Sequence, residues 1–321
     1  MLSAPSERIL PAACRRDEPL APRTHCKIGG VAEVFCEARG EEDVVAVVRY
    51  REAVGIPDDE VFVLGGGANV LIDDRRSYGL VLTLSEHFNA VTVDREEGTV
   101  RIEAGIRTPR LVREAAVRGW EGYQFLAGVP GSLGGAVVMN AGVKELSVWD
   151  RVLAVEGFRW SGERIRLERE DLRPGYRRGN VPGDVIVTTV ICAIPGGDPE
   201  AIHTAARRLS TSRRETQPLR YPSWGSTFRN PSGVSSEGMT AGGLIERAGL
   251  KGYRVGDAQI SELHANFIVN LGAATASDGL ACIRHAWERV RALYGVRLEP
   301  EVRLIGFPRS DLSFLDPEAG P

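Results

Sequence analysis

Cysteine is scarce in this chain of 321 residues, and its few thiols are scattered. The five cysteines form no C-x-x-C pair: Cys14, Cys26, Cys36, Cys192 and Cys282. Their odd number and wide spacing predict reduced thiols, and argue against both a disulfide framework and a zinc site. Histidines and carboxylates also lack metal-ligand spacing such as H-E-x-x-H, so we expect no metal centre.

Two further absences limit the partners. Lys and Arg number 40 against 43 Asp and Glu, a net charge of −3, so the basic excess of a nucleic-acid-binding protein is missing. No apolar run approaches the roughly 18 residues of a membrane helix. Residues 1–20 mix charges with prolines and have no continuous apolar core, which predicts an N-terminal tail and not a secretory signal. We therefore expect a cytoplasmic protein that binds neither nucleic acid nor membrane.

Glycine, in contrast, is abundant in one apolar stretch. Residues 122–142 carry six glycines in 21 positions, separated by apolar residues such as Phe125, Leu133 and Val137. This composition predicts a buried, tightly turned segment and not a flexible linker. Two interpretations of the stretch alone stay open: a turn that lets two elements pack, or a surface for a planar or phosphorylated ligand.

A second glycine cluster follows a short apolar run at residues 61–64. Its sequence is Gly65-Gly66-Gly67-Ala68-Asn69. Successive glycines on a sharp turn expose backbone N–H groups, which form an anion-binding nest suited to a pyrophosphate. Neither G-x-G-x-x-G nor the P-loop pattern fits, which argues against a Rossmann domain. The two clusters predict one extended ligand, with its pyrophosphate at the first turn and its ring at the second.

The rest of the chain predicts mixed helices and strands. Apolar alternation or short apolar runs predict strands at residues 31–37, 61–64, 79–84, 90–94, 99–104, 152–160, 163–168, 185–194 and 266–270, and within 298–305. Caps, prolines and helical spacing predict helices at residues 41–54, 109–118, 199–215, 239–248 and 277–294. The arginine run of the third helix predicts a solvated face, and the prolines of residues 218–231 argue against a strand there. The turn at residues 195–199 predicts a domain junction.

A set of short motifs between Thr24 and Gly306, in one fixed order, resembles the UDP-N-acetylenolpyruvoylglucosamine reductases, the MurB family. The motifs are Ile28-Gly29-Gly30, Leu64-Gly65-Gly66-Gly67-Ala68-Asn69, Gly128-Val129-Pro130-Gly131, Met139-Asn140-Ala141-Gly142, Gly225-Ser226-Thr227-Phe228-Arg229-Asn230-Pro231, Ala248-Gly249-Leu250-Lys251-Gly252-Tyr253-Arg254-Val255-Gly256, Ala258-Gln259-Ile260-Ser261, His264-Ala265-Asn266-Phe267 and Leu298-Glu299-Pro300-Glu301-Val302. Each motif is weak alone, whereas the ordered set is specific.

The resemblance implies an α+β fold. An FAD-binding domain of the vanillyl-alcohol-oxidase (PCMH) type, residues 21–195, would precede a smaller α+β substrate domain, residues 196–321. The implied function is an FAD-containing, NADPH-dependent oxidoreductase that reduces UDP-N-acetylglucosamine enolpyruvate to UDP-N-acetylmuramate, a cytoplasmic step of peptidoglycan synthesis. The protein is expected to be a monomer or weakly associated.

The resemblance also implies roles for individual residues. Ser226 is the expected proton donor, and Arg177 and Glu301 are expected to bind and polarise the substrate carboxylate. The implied FAD contacts are Gly65, Gly66, Gly67, Ala68, Asn69, Gly128, Val129, Pro130, Gly131, Ser132, Gly134, Gly135, Asn140, Ala141 and Gly142. The implied substrate contacts are Tyr176, Arg229, Asn230, Gln259 and Asn266. His264 is expected to be structural.

The chain departs from the family pattern in two places. The family has Asp-Ser where this chain has Arg178 and Gly179, and commonly has lysine where this chain has Arg229. The first departure favours one alternative, a nucleotide-sugar or flavin-binding protein that has lost its catalysis. A second alternative is another FAD-dependent sugar or alcohol oxidoreductase, against which the motifs of Ser226 and Glu301 argue because they lie outside the predicted flavin domain.

Overall fold

The computed structural model describes residues 9–84, 86–143, 146–231 and 239–316. Contacts within the chain divide it into two compact units. Unit 1 consists of Met1–Glu18, Ala32–Gly66 and Tyr78–Arg213, and unit 2 of Pro19–Val31, Gly67–Ser77 and Arg214–Pro321. Both units combine helices with strands, so the fold is α+β, as expected. The junction at residues 195–199 stays a prediction.

Unit 1 contains two sheets. The first has the order β1-β2-β5-β3, formed by Cys14–Pro19 (β1), Val31–Ala38 (β2), Val61–Val63 (β3) and Ser77–Leu84 (β5). The second has the order β6-β7-β10-β8-β9, formed by Val91–Asp94 (β6), Thr99–Glu103 (β7), Val152–Arg159 (β8), Arg164–Glu168 (β9) and Val185–Ala193 (β10). The central strand β10 is buried along almost its whole length, which explains its unbroken apolar sequence. The strands predicted for this unit are confirmed within one or two residues, whereas β1 is a strand where residues 1–20 were predicted to be a tail.

A disulfide joins the edge strand β1 to β2. Cys14 and Cys36 are bonded, with their Cα atoms 4.0 Å apart. The prediction of reduced thiols is therefore wrong for this pair. Sequence spacing could not reveal it, because strand pairing brings the two residues together: the Glu37 N–H donates to the Ala13 carbonyl at 2.8 Å. The other cysteines are free and buried: Cys26, Cys192 and Cys282.

Most of the helices lie in the first two thirds of the chain. They are Glu41–Val54 (α1), Thr108–Arg118 (α2), Leu133–Val138 (α3), Arg169–Leu172 (α4) and Pro199–Thr216 (α5). α2 ends at Gly119 in the left-handed conformation, as its sequence predicts. The sequence did not predict α3, because this single short helix carries two glycines inside residues 122–142.

Unit 2 has one hydrophobic core around a four-stranded sheet, which includes Trp224, Ile283 and Trp287. The sheet has the order β11-β14-β13-β12, formed by Ser223–Ser226 (β11), Arg254–Val255 (β12), Ala258–Ile260 (β13) and Phe267–Asn270 (β14). Val70–Ile72 (β4) and Arg303–Ile305 (β15) form a separate parallel pair. The helices are Ala241–Arg247 (α6), Ala276–Tyr294 (α7) and Arg309–Leu312 (α8).

Two predictions about strands in unit 2 need correction. Residues 218–231 do contain a strand, β11, because Pro222 and Pro231 lie outside it and leave its hydrogen bonds intact. The predicted strand within residues 298–305 is shorter, since only Arg303–Ile305 pairs as a strand. Pro300 has no N–H to donate and forms a single bridge with Phe228.

The longest helix, α7, confirms the cap signals in its sequence. Thr275 and Asp278 form a capping box at its start, and Gly295 ends it in the left-handed conformation. Its buried face includes Leu280, Ile283 and Trp287, the residues whose spacing predicted the helix. Within the described ranges, none of the helices is both long enough and apolar enough to cross a membrane.

Candidate active site

Two glycine-rich turns lie against each other in unit 1. The first turn contains Gly65 and Gly66, directly after β3. A Cβ atom at Gly66 would lie 2.4 Å from the Cα of Gly131 in the second turn, so only glycine fits at this contact. A Cβ at Gly65 would lie 3.3 Å from Ser132 Oγ. The two glycine clusters are therefore neighbours in space, although more than sixty residues separate them in sequence.

The start of α2 and the start of α3 hold the second turn. The Thr108 N–H donates to the Gly131 carbonyl at 3.2 Å. Ser132 then caps α3, its Oγ accepting from the Gly135 N–H at 3.4 Å. The other predicted FAD contacts of this region lie in the turn, in α3 or just after it: Gly128, Val129, Pro130, Gly134, Ala141 and Gly142.

Backbone donors collect where the two turns meet. Within the part of the chain that the structure describes, the N–H groups of Gly65, Gly66, Gly131 and Ser132 donate to no other residue. Such a group of donors can bind phosphate oxygens. Arg107 adds a positive charge, because its Nη1 lies 3.0 Å from the position of a Gly66 Cβ. The residues present therefore fit the pyrophosphate of a nucleotide.

The sequence analysis did not identify Arg107 as a candidate site residue. It directly precedes α2 and is remote in sequence from both glycine clusters. The only sequence signal available was its place at a helix N-terminus, where the backbone N–H groups also favour an anion.

The remainder of the first glycine cluster belongs to unit 2. The Gly67 carbonyl accepts from the His25 N–H at 2.9 Å. Asn69 Nδ2 donates to the Glu301 carbonyl at 3.0 Å, and the Asn69 carbonyl accepts from the Arg303 N–H at 3.1 Å. Asn69 thus fixes the backbone on either side of Val302. The FAD contacts expected of Gly67, Ala68 and Asn69 stay predictions.

Ser226 and Glu301 are neighbours in unit 2. Ser226 is the last residue of β11 and pairs with Phe267 of β14. The next residue, Thr227, is buried, and its carbonyl accepts from the Glu301 N–H at 2.8 Å. Its side-chain Oγ1 accepts from Trp224 Nε1 at 3.1 Å. One buried threonine therefore holds the backbone of both predicted catalytic residues, and both side chains are half-buried.

Asn266 braces the segment that follows Ser226. Its Nδ2 donates to the Phe228 carbonyl at 2.8 Å, and its Oδ1 accepts from the Phe228 N–H at 3.0 Å. Its own carbonyl accepts from the Thr227 N–H at 2.8 Å. Asn266 is 5% exposed, so its amide is occupied with the backbone of this segment. The predicted substrate contact of Asn266 is not tested by this arrangement.

The remaining predicted substrate contacts of unit 2 also have protein partners. Arg229 Nη1 lies 3.3 Å from a carboxylate oxygen of the exposed Glu299. Asn230 Oδ1 accepts from the Ala241 N–H, at the start of α6. Gln259 Nε2 donates to the Gly252 carbonyl at 3.2 Å. Their roles toward a substrate stay predictions.

Arg177 lies in unit 1, in a turn with unusual backbone. Its φ is +56°, in the left-handed region that side chains other than glycine seldom adopt, and Asn180 is also left-handed at +55°. Asn140 supports the turn, its Nδ2 donating to the Gly175 carbonyl at 2.7 Å. The Arg177 guanidinium lies 5.0 Å from the ring centre of the exposed Tyr176. Backbone of this kind is concentrated at functional sites, which keeps Arg177 and Tyr176 as candidates.

His264 has the structural role that the sequence analysis expected. Its Nδ1 accepts from the Asn266 N–H at 3.2 Å, and its ring contacts Phe267. Burial lowers the pKa of His264, which favours the neutral ring that accepts this hydrogen bond.

The arginine run of α5 is only partly solvated. Arg207, Arg208 and Arg214 are exposed, as predicted. Arg213 is half-buried, and its guanidinium donates to the carbonyls of Phe125 and Ala127. The prediction of a solvated face is therefore wrong for Arg213. Among the described residues no cluster of three or more His, Cys, Asp or Glu side chains could hold a metal ion.

Two family models match the chain. The UDP-N-acetylenolpyruvoylglucosamine reductase C-terminal domain matches residues 217–305, and an FAD-binding domain matches residues 32–168. The UDP-N-acetylenolpyruvoylglucosamine reductase of Anaeromyxobacter sp. (strain K) is 41% identical over 305 residues, which cover 95% of this chain and 89% of the relative. The enzyme of the same name from Synechococcus sp. (strain JA-3-3Ab) is 40% identical, over 93% of this chain and 91% of the relative.

One solved structure matches almost the whole chain. The crystal structure of the reductase MurB from Thermus caldophilus is 35% identical, with a TM-score of 0.75. The match covers 91% of this chain and 99% of that chain. The fold similarity therefore extends over most of the chain.

Proposed function

Because the chain belongs to the UDP-N-acetylenolpyruvoylglucosamine reductase family, we propose that it reduces UDP-N-acetylglucosamine enolpyruvate to UDP-N-acetylmuramate with bound FAD and NADPH. The reaction is a step of peptidoglycan synthesis. The observation that supports this proposal best is the hydrogen-bonded arrangement in which Thr227 and Asn69 hold the backbone around Ser226 and Glu301.

The proposal assigns the cofactor to unit 1. The N–H groups of Gly65, Gly66, Gly131 and Ser132 would hold the pyrophosphate of FAD, and Arg107 would offset its negative charge. When bound and reduced by NADPH, the flavin would supply the hydride for the vinyl CH2 of the enolpyruvyl ether. The glycines leave the backbone uncovered at this surface, so that the donors reach the phosphate oxygens directly.

The proposal assigns the proton to Ser226. Addition of hydride to the vinyl CH2 leaves negative charge on the adjacent carbon, and this carbon takes a proton from Ser226 Oγ, which solvent then replaces. Thr227 and Trp224 fix the end of β11, and with it the backbone that carries the hydroxyl. Preorganisation of this kind lowers the barrier because no rearrangement is needed as the charge develops.

Arg177 and Glu301 act on the substrate carboxylate in this proposal. Arg177 can form two parallel hydrogen bonds to a carboxylate, which sets its orientation. Glu301 is assigned to the same carboxylate, to which its carboxyl group in the protonated form would donate a hydrogen bond as negative charge spreads into it. Tyr176, Arg229, Asn230 and Gln259 are assigned to the rest of the nucleotide sugar, as the family motifs imply.

We place the enzyme in the cytoplasm, where NADPH and nucleotide sugars are available, as a monomer without nucleic-acid or membrane partners. The two compact units are not divided at the expected domain boundary near residue 196, since unit 1 continues to Arg213. The proposal keeps the functional division: FAD on the earlier domain, and proton donor on the later one.

A double-mixing stopped-flow experiment tests the proposed function. The purified protein is mixed first with NADPH and then with UDP-N-acetylglucosamine enolpyruvate, while the visible flavin absorbance is followed. The absorbance should fall in the first step and recover only when the enolpyruvyl substrate is added. A colourless protein that takes up no FAD would refute the flavoenzyme. Bleaching of the flavin by an unrelated sugar or alcohol in place of NADPH would indicate another oxidoreductase.

A further inference from the structure

Arg213 differs from the other arginines of α5 in its contacts. Its Nη2 donates to the Phe125 carbonyl at 3.1 Å, and its Nη1 donates to the Ala127 carbonyl. Both acceptors lie at the entrance to the second glycine turn. One planar guanidinium therefore joins a helix to two carbonyls of this loop, which a lysine ammonium with its single nitrogen could not do in the same geometry.

The loop beneath Arg213 is shaped to admit it. Gly128 has a φ of +76°, and a Cβ there would lie 3.3 Å from the Arg213 Cδ. The Val129 N–H donates to the Leu126 carbonyl at 2.9 Å, which closes the loop just before Gly131 and Ser132. The Arg213 contacts are thus directly upstream of two of the four N–H donors assigned to the pyrophosphate.

The charge of Arg213 is costly in this position. Burial, together with the nearby positive charge of Arg177, lowers the pKa of Arg213. Among the described residues no carboxylate pairs with Arg213, so the two carbonyls are its protein acceptors. A cation retained under these conditions is consistent with a role in holding this loop.

We propose that Arg213 is a positioning residue for the cofactor: by bridging the carbonyls of Phe125 and Ala127 it holds the second glycine turn in the conformation that receives FAD. This inference rests on the proposed function only for the identity of the ligand. The two hydrogen bonds from Arg213 to the carbonyls of Phe125 and Ala127, called the clamp below, form in the protein without FAD and can be measured there.

Hydrogen exchange of the apoprotein tests the clamp without any enzymatic assay. The informative amides are those of Leu126, Ala127 and Val129, which donate within the loop. Arg213→Ala should accelerate their exchange about ten-fold, the expected effect of losing buried hydrogen bonds to a charged group. The amides of the central strand β10 serve as the internal reference and should keep their protection. Arg207→Ala, which removes an exposed arginine of the same helix, is the matched control.

Titration of the same apoproteins with FAD supplies the second readout. Arg213→Ala should raise the Kd for FAD about ten-fold or more. Arg213→Lys should recover part of the loss, because its ammonium can still reach one carbonyl, and it serves as the test variant if Arg213→Ala does not fold. Arg207→Ala should bind FAD as the wild type does.

The outcomes separate the clamp from the cofactor site. Wild-type exchange at Leu126, Ala127 and Val129 in Arg213→Ala would overturn the clamp. If exchange accelerated equally in the loop and in β10, the clamp would also be overturned, since Arg213 would then stabilise the whole unit. In the wild type, FAD should slow exchange in residues 126–132; if it does not, the cofactor assignment fails while the result for the clamp stands.

Discussion

The candidate cofactor surface of unit 1 is made of backbone, whereas two candidate catalytic groups of unit 2, Ser226 and Glu301, are side chains held by backbone. Gly66 contributes by having no side chain, because a Cβ would overlap Gly131. Ser226 contributes its hydroxyl, and Thr227 and Asn266 hold the adjacent backbone without supplying chemistry of their own. FAD carries its own reactive group, so the protein needs a surface that binds it. Proton transfer instead requires one side-chain atom at a defined position.

This difference between the glycine turns and the segment of Ser226 predicts which substitutions impair the reaction and which impair cofactor binding. Changes in the glycine turns of unit 1 should act on FAD affinity, and changes around Ser226 should act on turnover with the flavin still bound.

Ser226→Ala should have the largest effect. Loss of the proton donor should lower kcat about a thousand-fold, within the range for general acids. The flavin content should stay at the wild-type level. Ser223→Ala, at the other end of β11, is the control and should keep its turnover. Steady-state rates and the flavin-to-protein absorbance ratio check both points, and wild-type kcat in Ser226→Ala would remove Ser226 from the mechanism.

Gly66→Ala should instead weaken the binding of FAD. The added Cβ must displace Gly131, so we expect the Kd for FAD to rise about a hundred-fold, the upper range for a forced overlap. Gly183→Ala is the control, since its Cβ would enter open space. The measurement is titration of the apoproteins with FAD. Normal affinity in Gly66→Ala would show that the contact between the turns is unimportant for the cofactor.

Asn266→Ala should lower turnover without changing FAD affinity. It leaves the buried N–H and carbonyl of Phe228 without their partners, which loosens the segment next to Ser226. We expect kcat to fall about ten- to fifty-fold, from the cost of unsatisfied buried groups. If KM rose while kcat stayed constant, Asn266 would instead be a substrate contact, as the family motif first implied.

Reduction of the Cys14–Cys36 disulfide should have the smallest effect on catalysis. The bond lies at the edge of unit 1 and closes a sequence separation of 22 residues. Its loss should lower the free energy of unfolding by about 3 kcal/mol and leave kcat unchanged. Denaturant unfolding with and without reductant checks this, with the Cys14→Ser, Cys36→Ser double variant as the protein that should not respond. A parallel loss of FAD affinity would link the strand β1 to the cofactor surface.

The elements that the sequence predicted best were those with strong local signals. α2 has Pro109 at its start and Gly119 after its end, and β10 has an unbroken apolar run. α3 and the bond between Cys14 and Cys36 were missed, because the first depends on packing around glycines and the second on which strands pair. Local patterns cannot report such long-range contacts.

In the candidate site, too, local sequence patterns did not reveal long-range contacts. Glycine clusters and family motifs identified the two turns and the segments of Ser226 and Glu301. They did not indicate that Asn69 and Thr227 hold Glu301, or that Arg107 and Arg213 reach the glycine turns. Arginine side chains span long distances, so their partners are set by tertiary structure and leave no periodic signal in the sequence.

The division between a cofactor surface and a catalytic side chain is tested most directly by double-mixing stopped flow of Ser226→Ala. Mixing with NADPH should bleach the flavin at the wild-type rate, because the hydride enters through the cofactor. Subsequent mixing with UDP-N-acetylglucosamine enolpyruvate should leave the flavin bleached, or restore its absorbance about a thousand times more slowly than in the wild type. Recovery at the wild-type rate, with formation of UDP-N-acetylmuramate, would contradict the assignment of the proton to Ser226.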